Sequence, residues 1–545
     1  MDAGRAGRRR FGSLLARARA AAPTRAEALW AAASALLLAA AFPDFGLWPL
    51  AWFGLTPLLY VVARRPSQAR AFALGLLTGT LFFYASCHWL TYPMIRYAGI
   101  PALVAYPLLV PLTAVGGLFP ALFALALARL CARWGARALF LAPALWAASE
   151  WARLGVVGQL WNALGYSQAE SPALIQAARA GGVYAVGFLI LTTNAALAYA
   201  LVRRRTRAAL VSFGAVVCVA LVLAGFGLYN EAEDLRGRAE VPGAVVVAVQ
   251  PNVIPNFKRP ASEFLALEEE HFRMSAEALR GLEGGALSRE LSGAGRLPRV
   301  VVWPESPMNF SFAGDARFRE QVARFNRAHR ASLIFNSQEP VPTGGDYNAA
   351  VLVNEEGRLA VQYDKIRLLP FGEYVPVPSW VPGANFVRGV VGDFTPGARY
   401  TLMPLGEGGP RAGVFICVES AYPSITRQFA REGADVLIEI TNDAYQGDTA
   451  VLRQHLANAV FRAVETGRPV LRVTNTGITA RVTPGGRVLD AAEKSRPAVR
   501  VWTASRAAAG QTFYVRHGDL FAGLCAAASA LALLLSRGRR TPAPS

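Results

Sequence analysis

Phe415-Ile416-Cys417-Val418-Glu419 closes an apolar, strand-like run and sets a thiol beside a carboxylate at its end. Cys417 is the one cysteine of five outside a membrane-like segment, since Cys87, Cys131, Cys218 and Cys525 lie in or beside apolar runs, where a cysteine serves as a small hydrophobe. Two other charges end apolar runs in the same way: Glu305 in Val301-Val302-Trp303-Pro304-Glu305 and Lys365 in Tyr363-Asp364-Lys365. A thiol attacks as thiolate and needs a base or a positive field beside it. A glutamate, a lysine and a cysteine at three strand ends could supply all of these, although a cysteine ending an apolar strand is also an ordinary core residue.

Outward from this run, short β-rich segments recur at 244–249, 299–303, 332–335, 349–353, 359–363, 413–417, 436–440 and 470–473. Asn354-Glu355-Glu356-Gly357 joins two of them as a hairpin turn. Helical patterns fall at 261–282, 315–330, 421–432 and 449–466, and alternating strands and helices predict a layered α/β fold with a central sheet. The Gly-rich segment 283–297 reads as a loop. Segment 366–400 holds five prolines and many large apolar residues without a sustained period, among them Phe371, Tyr374 and Trp380. Long loops inside compact domains usually carry function, and this one either closes over an apolar ligand or packs on its own core.

The rest of the chain is different. Of 545 residues, 53% are hydrophobic and only 17% charged, a mixture too apolar for a soluble enzyme of this size. The excess concentrates in runs at 28–42, 47–63, 71–92, 101–128, 138–152, 181–202, 208–229 and 520–535, and roughly 17–25 residues cross a bilayer. This predicts about eight spans, with tilt or a break in the fourth at Pro107, Pro111 and Pro120. The net charge of +19 comes largely from arginines bunched before, between and after the spans, as in Arg64-Arg65, Arg129 to Arg137, Arg203 to Arg207 and Arg537 to Arg540. That alternation is the positive-inside pattern, and no nucleic-acid motif accompanies it. The expected organisation is a cytoplasmic basic segment at 1–27, seven spans in 28–229, an extracytoplasmic domain at 240–510, an eighth span at 520–535 and a cytoplasmic tail at 536–545. The first run also has the basic flank and short apolar stretch of a signal peptide.

Chemically, Glu305 follows a strand and precedes Ser306-Pro307. In an apolar pocket its pKa would rise toward that of a general base. Lys365 can hold it in place and stabilise an oxyanion, and backbone N–H groups near Val418 complete the hole. Glu150 and Arg153 lie at membrane depth, where ionisable groups are functional candidates, with a local ion pair as the alternative. The five histidines show no metal-ligand spacing.

This Glu-Lys-Cys set resembles the catalytic triad of the carbon–nitrogen hydrolase (nitrilase) superfamily, which implies an αββα sandwich. Over its full length the chain resembles the apolipoprotein N-acyltransferases. The matching motifs are Val302-Trp303-Pro304-Glu305, Tyr347-Asn348, Lys365 with Pro370-Phe371-Gly372-Glu373-Tyr374, Ile416-Cys417-Val418-Glu419, Asn442-Asp443-Ala444, Gln454-His455, Arg462-Ala463 with Glu465, Gly467-Arg468-Pro469 and Thr474-Asn475-Thr476-Gly477, followed by Thr512, Tyr514 and Arg516. The resemblance implies a multi-pass enzyme of the bacterial inner membrane, with its catalytic domain on the periplasmic side and no metal or cofactor. Its partners would be a phospholipid acyl donor, usually phosphatidylethanolamine, and diacylglyceryl-modified apolipoproteins. Cys417 would carry the acyl group as a thioester before the lipoprotein α-amine takes it. It also implies supporting roles for Glu373, Glu419 and Asn348, an oxyanion donor at the Val418 backbone, and substrate or lid roles for Phe371, Tyr374, Trp380 and Tyr445. The chain departs from the pattern at Val418, Tyr445-Gln446-Gly447, Gln250-Pro251-Asn252 and Lys258-Arg259, around the pocket rather than in the triad. A membrane-tethered amidase is the alternative, and a transporter or scaffold with an inactive domain a further one.

Overall fold

A computed structural model describes residues 22–64, 66–237, 241–256, 260–284, 297–306, 308, 310–376, 380, 394–507 and 510–537. The Lys258-Arg259 position, most of the expected 283–297 loop and 381–393 lie outside these. The chain divides into two units, Met1–Leu228 with Asp519–Ser545, and Tyr229–Gly518.

The first unit is helical. Its main helices are α1 (Arg25–Ala41), α2 (Trp48–Ala63, entered through a 3-10 turn), α3 (Gln68–Ser86), α4 (Ala102–Trp134), α5 (Ala142–Val157), α6 (Ala178–Arg203), α7 (Thr206–Gly237, of which the part to Leu228 belongs to this unit) and a last helix, Leu520–Leu535. Each apolar run of the sequence thus falls on helical structure. Among the described residues four helices meet the length and hydropathy of a membrane crossing: α3, the stretch Ala102–Val157 that holds α4 and α5, α6, and Thr206–Leu228 in α7. The others are shorter. No break occurs in α4, which passes Pro107, Pro111 and Pro120 as one helix. Thr113 lies within it and donates to the Leu109 and Val110 carbonyls. Helices α3 and α4 touch through small residues: a Cβ on Gly79 would lie 2.8 Å from the Gly117 Cα, the close backbone approach that glycine permits between apolar helices.

Glu150 and Arg153 do not pair directly through a salt bridge among the described residues. Glu150 accepts from Leu164 N at 2.7 Å and Arg153 donates to Trp161 O at 2.7 Å. Both therefore pin the segment after α5, where its backbone groups would otherwise be buried without partners. His88 bonds the Ala85 carbonyl, a structural contact within its own turn.

Among the described residues the second unit contains twelve strands in two six-stranded sheets. They are β1 (Pro242–Gln250), β2 (Arg299–Val302), β3 (Ser332–Pro340), β4 (Asp346–Val353), β5 (Leu359–Asp364), β6 (Leu402–Pro404), β7 (Arg411–Ile416), β8 (Val436–Thr441), β9 (Val470–Thr474), β10 (Ala480–Val482), β11 (Val488–Leu489) and β12 (Ala498–Ser505). The orders are β12-β1-β2-β3-β4-β5 and β11-β10-β9-β8-β7-β6. Strand β1 reads as a nearly continuous apolar run because both faces are covered, and β8 is buried along its whole length. The sheets face one another through β1 with β9 and β4 with β7. The helices Ala261–Gly284 and Ala316–His329 cover the first sheet, and Pro423–Arg431 and α8 (Val451–Thr466) cover the second. The layers are therefore helix, sheet, sheet, helix. Beneath the first helical layer, Trp303, Phe310, Phe318 and Phe335 form one buried aromatic cluster, and the Trp303 indole donates to Ser275 Oγ at 2.9 Å. That anchor fixes the end of β2 two residues before Glu305.

Candidate active site

Glu305, Lys365 and Cys417 each lie just beyond the end of a strand, β2, β5 or β7, and the structure brings all three to one place. Lys365 is its hub. Its side chain is 1% exposed, and Nζ lies 3.2 Å from Glu305 Oε1 and 2.9 Å from Glu373 Oε1. Asn348, on β4, donates through Nδ2 to both of those carboxylates, and it is held in turn by Asn336 Nδ2 at 2.6 Å. The second oxygen of Glu305 accepts from Asn442 N at 3.1 Å, and that of Glu373 accepts from Leu369 N at 2.7 Å. Burial opposes the charge on Lys365, yet Glu305 and Glu373 outweigh it and hold the ammonium well above the usual lysine range. The immediate surroundings of the Glu305 carboxylate are polar. Three donors surround the carboxylate: Lys365 Nζ, Asn348 Nδ2 from β4 and Asn442 N from the segment after β8.

The sequence pattern places Cys417 as the last residue of its strand. The strand instead stops at Ile416, and Cys417 has φ +53°, the left-handed region that a residue with a Cβ rarely enters. A 3-10 turn, Cys417–Ala421, begins at once. This sharp strand-to-turn step lifts the thiol off the sheet. Glu419 enforces it: its fully buried carboxylate accepts from Ile416 N at 2.8 Å, Ile366 N at 2.8 Å, Arg367 N at 3.1 Å and the Tyr363 hydroxyl at 2.8 Å. One side chain thereby ties the Cys417 turn to the segment that carries Lys365. Glu419 makes no ion pair among the described residues. Burial pushes its pKa up, and the four donors and the Lys365 charge pull against that.

Burial also pushes the Cys417 thiol well above its usual value. The Glu305 charge adds to the rise, while Lys365 and a hydrogen bond from Thr441 oppose it. Burial and the nearby Glu305 carboxylate thus both favour the neutral form of the thiol. Of the expected lid residues, Phe371 is 55% and Trp380 81% exposed, whereas Tyr374 and Tyr445 are half-buried. A tight turn, closed by Phe371 N to Tyr374 O at 2.8 Å, turns Glu373 inward and Phe371 outward.

Sequence reasoning gave no role to a second cluster of charges below the turn: Glu439, Asp443, His455 and Arg472, all buried. Its signal was present. Glu439 and Arg472 are single, opposite charges in two otherwise apolar strands, and they are aligned partners across the β8–β9 pair. Asn475, which the sequence offers only as part of a matching motif, has a structural role here. It bonds Asn442 Oδ1 at 3.0 Å and both backbone groups of Val253, which ties the segment after β1 to the loop that touches Glu305.

A two-sheet sandwich with a Glu-Lys-Cys site at its strand ends defines a carbon–nitrogen hydrolase, and residues 228–512 match the model of that family. Residues 34–196 match the apolipoprotein N-acyltransferase N-terminal domain. An apolipoprotein N-acyltransferase of Geobacter metallireducens is 32% identical over 95% of this chain and 96% of its own length. Those of Allorhizobium ampelinum and Thermotoga maritima are each 30% identical, covering 89% and 93% of this chain and 91% and 93% of theirs. An amidase from Nesterenkonia sp. aligns by structure at 16% identity and TM-score 0.35, covering 52% of this chain and 98% of the amidase. The chain belongs to the apolipoprotein N-acyltransferase family.

Proposed function

We propose that this membrane acyltransferase N-acylates the α-amine of the S-diacylglyceryl-cysteine of lipoproteins, with a phospholipid as donor and Cys417 as the carrier. The observation that carries the reading is the convergence of Glu305 and Glu373 on Lys365 Nζ, beside a thiol lifted from its strand. Glu305 takes the thiol proton as Sγ attacks the ester carbonyl. The oxyanion that forms is met by Lys365 and the Val418 N–H. Collapse breaks the ester C–O bond, Glu305 returns the proton to the leaving oxygen, and a lysophospholipid departs from a thioester. The lipoprotein amine then attacks that thioester. Glu305 accepts its proton and delivers it to the departing Cys417 sulfur. Glu373, Glu419 and Asn348 hold the triad in place.

The membrane reading is eight spans with both termini in the cytoplasm and the catalytic domain, 240–510, on the periplasmic face of the inner membrane. It rests on the arginine alternation between helices and on the helical structure found at every apolar run. Phe371 and Trp380, exposed at the loop beside Glu373, suit an acyl-chain entrance, with Tyr374 and Tyr445 nearer the site. Purified chain incubated with acyl-labelled phosphatidylethanolamine should acquire a hydroxylamine-sensitive label, and Cys417→Ala should acquire none. Equal labelling of the two would refute the carrier role.

A further inference from the structure

The triad leaves unused the buried charges beneath the Cys417 turn. Arg472 NH1 lies 2.6 Å from Glu439 Oε2 and its NH2 2.7 Å from Asp443 Oδ2. His455, on α8, fills the remaining corner. Its Nδ1 is 2.6 Å from Asp443 Oδ1, and its Nε2 is 3.1 Å from Glu439 Oε1 and 3.0 Å from the Cys417 carbonyl oxygen. None of those three oxygens carries a proton to give, so both ring nitrogens must donate and the ring is an imidazolium. Burial works against that charge, but Asp443 and Glu439 outweigh it, even with Arg472 close by, and raise the His455 pKa to about 9. A charged donor therefore sits on the carbonyl of the nucleophile itself.

The carbonyl of Cys417 shares a planar peptide with the N–H of Val418. In a trans peptide the two point in opposite directions, and the Cys417–Val418 bond is trans. A donor fixed on the carbonyl fixes the direction of the N–H, and hydrogen bonding at one end of a peptide strengthens the donor at the other. At the far end of the same turn, Arg462, also on α8, donates to the Ser420 carbonyl at 3.2 Å while paired with Glu465 at 2.9 Å. Two charged donors from one helix thus draw the carbonyls of the turn to one side. We propose that His455 is a positioning residue for the acyl-transfer reaction, aiming and polarising the Val418 N–H that receives the oxyanion. This rests on the acyl-enzyme reading above.

The test uses full-length chain in detergent with fluorescent-acyl phosphatidylethanolamine, comparing wild type with His455→Gln and His455→Ala. Rates are expressed per titrated Cys417 thiol, so that loss of folded enzyme is not read as loss of rate. Thioester formation should slow about 10-fold in the Gln variant, which keeps a donor, and about 100-fold in the Ala variant, within the range lost with an oxyanion donor. The half-saturating donor concentration should stay within about twofold, because the loss falls on the transition state alone. Affinity for a long-chain aldehyde, which adds Cys417 Sγ to its carbonyl and leaves an oxygen in the same hole, should fall in the same proportion. Unchanged rates per thiol, or weakened donor saturation with unchanged aldehyde affinity, would overturn the inference. Should neither variant fold, the wild-type chain with 15N-labelled histidine decides. One ring of the five should hold both protons at pH 7.5, and five neutral rings would overturn it. Failure of the wild type to form any thioester is a separate result. It would remove the acyl-enzyme reading, and this inference with it.

Discussion

Lys365→Met keeps an unbranched side chain one atom shorter and deletes its charge, and the contacts around Lys365 set the size of the effect. Glu305 Oε1 and Glu373 Oε1 converge on one ammonium, 3.2 and 2.9 Å away. Without it, Asn348 Nδ2 alone is left to bridge two carboxylates in a site that is almost wholly closed to solvent. Breaking a buried ion pair from one side costs about 3–5 kcal/mol, because the partner charge stays buried and unpaired. At about 2–4 °C per kcal/mol for a unit of this size, the unfolding midpoint should fall by roughly 10 °C. Adding Glu373→Gln removes one of the stranded charges and should restore about half of the stability lost, since the two sites share a partner and cannot be additive. It should not restore activity. Thioester formation should stay at least about 10²-fold below wild type in both proteins, because the proposed oxyanion donor is gone. Intrinsic fluorescence on heating, with thioester formation from labelled phospholipid, gives both readouts. If the double variant is no more stable than Lys365→Met, or if Lys365→Met retains wild-type acylation, the assignment of Lys365 as hub is wrong.

Named contacts and charges set three further outcomes. Glu419→Gln must point an amide NH2 at Ile416 N or at the Ile366 and Arg367 amides, donor against donor. It should lower stability by about 2–4 kcal/mol and abolish thioester formation, while Glu419→Asp, which keeps the charge, should be less damaged in both. The charge on His455 is stabilising up to about pH 9 against an ordinary value of 6.5. That contribution, about 3 kcal/mol, is therefore complete below about pH 6.5 and disappears as pH rises through about 9. The midpoint of the wild type should fall over that window more steeply than that of His455→Gln, and parallel curves would refute the buried imidazolium. An epitope inserted in 285–296 should be reachable in spheroplasts with the cytoplasmic membrane intact, and access only after lysis would reverse the orientation.

Much of the site was legible because chemistry and strand ends coincide in this chain. Glu305, Lys365 and Cys417 each terminate an apolar run, and although each alone has an ordinary structural reading, the three together point to one site. Asn348 and Glu373 were reached only through resemblance, since nothing local distinguishes an asparagine inside a hairpin strand or a glutamate in a proline-rich turn. The positive φ of Cys417 is invisible in sequence for a residue that is not glycine, so the strand was drawn one residue too long. Strands β6, β10 and β11 span two or three residues each, too short to show a period. The buried charges on β8 and β9 were masked by the valines and isoleucines around them. Only the register, which sets Glu439 opposite Arg472, turns two odd charges into a pair. In the first unit, length and hydropathy located the helices, while the pinning of the segment after α5 by Glu150 and Arg153 needed coordinates.

The account turns on Cys417 as a carrier between two lipids, and the isolated acyl-enzyme tests that most directly. The chain should be loaded with phospholipid, freed of donor, and shown by intact mass to hold one acyl group that Cys417→Ala cannot hold. Presented then with a diacylglyceryl-cysteinyl peptide, it should lose that mass as the peptide gains it, in single turnover and without added phospholipid. An N-acetylated peptide should gain nothing. An acyl-enzyme that discharges only to water in the presence of the free-amine peptide, or acylation of that peptide by Cys417→Ala, would contradict the account.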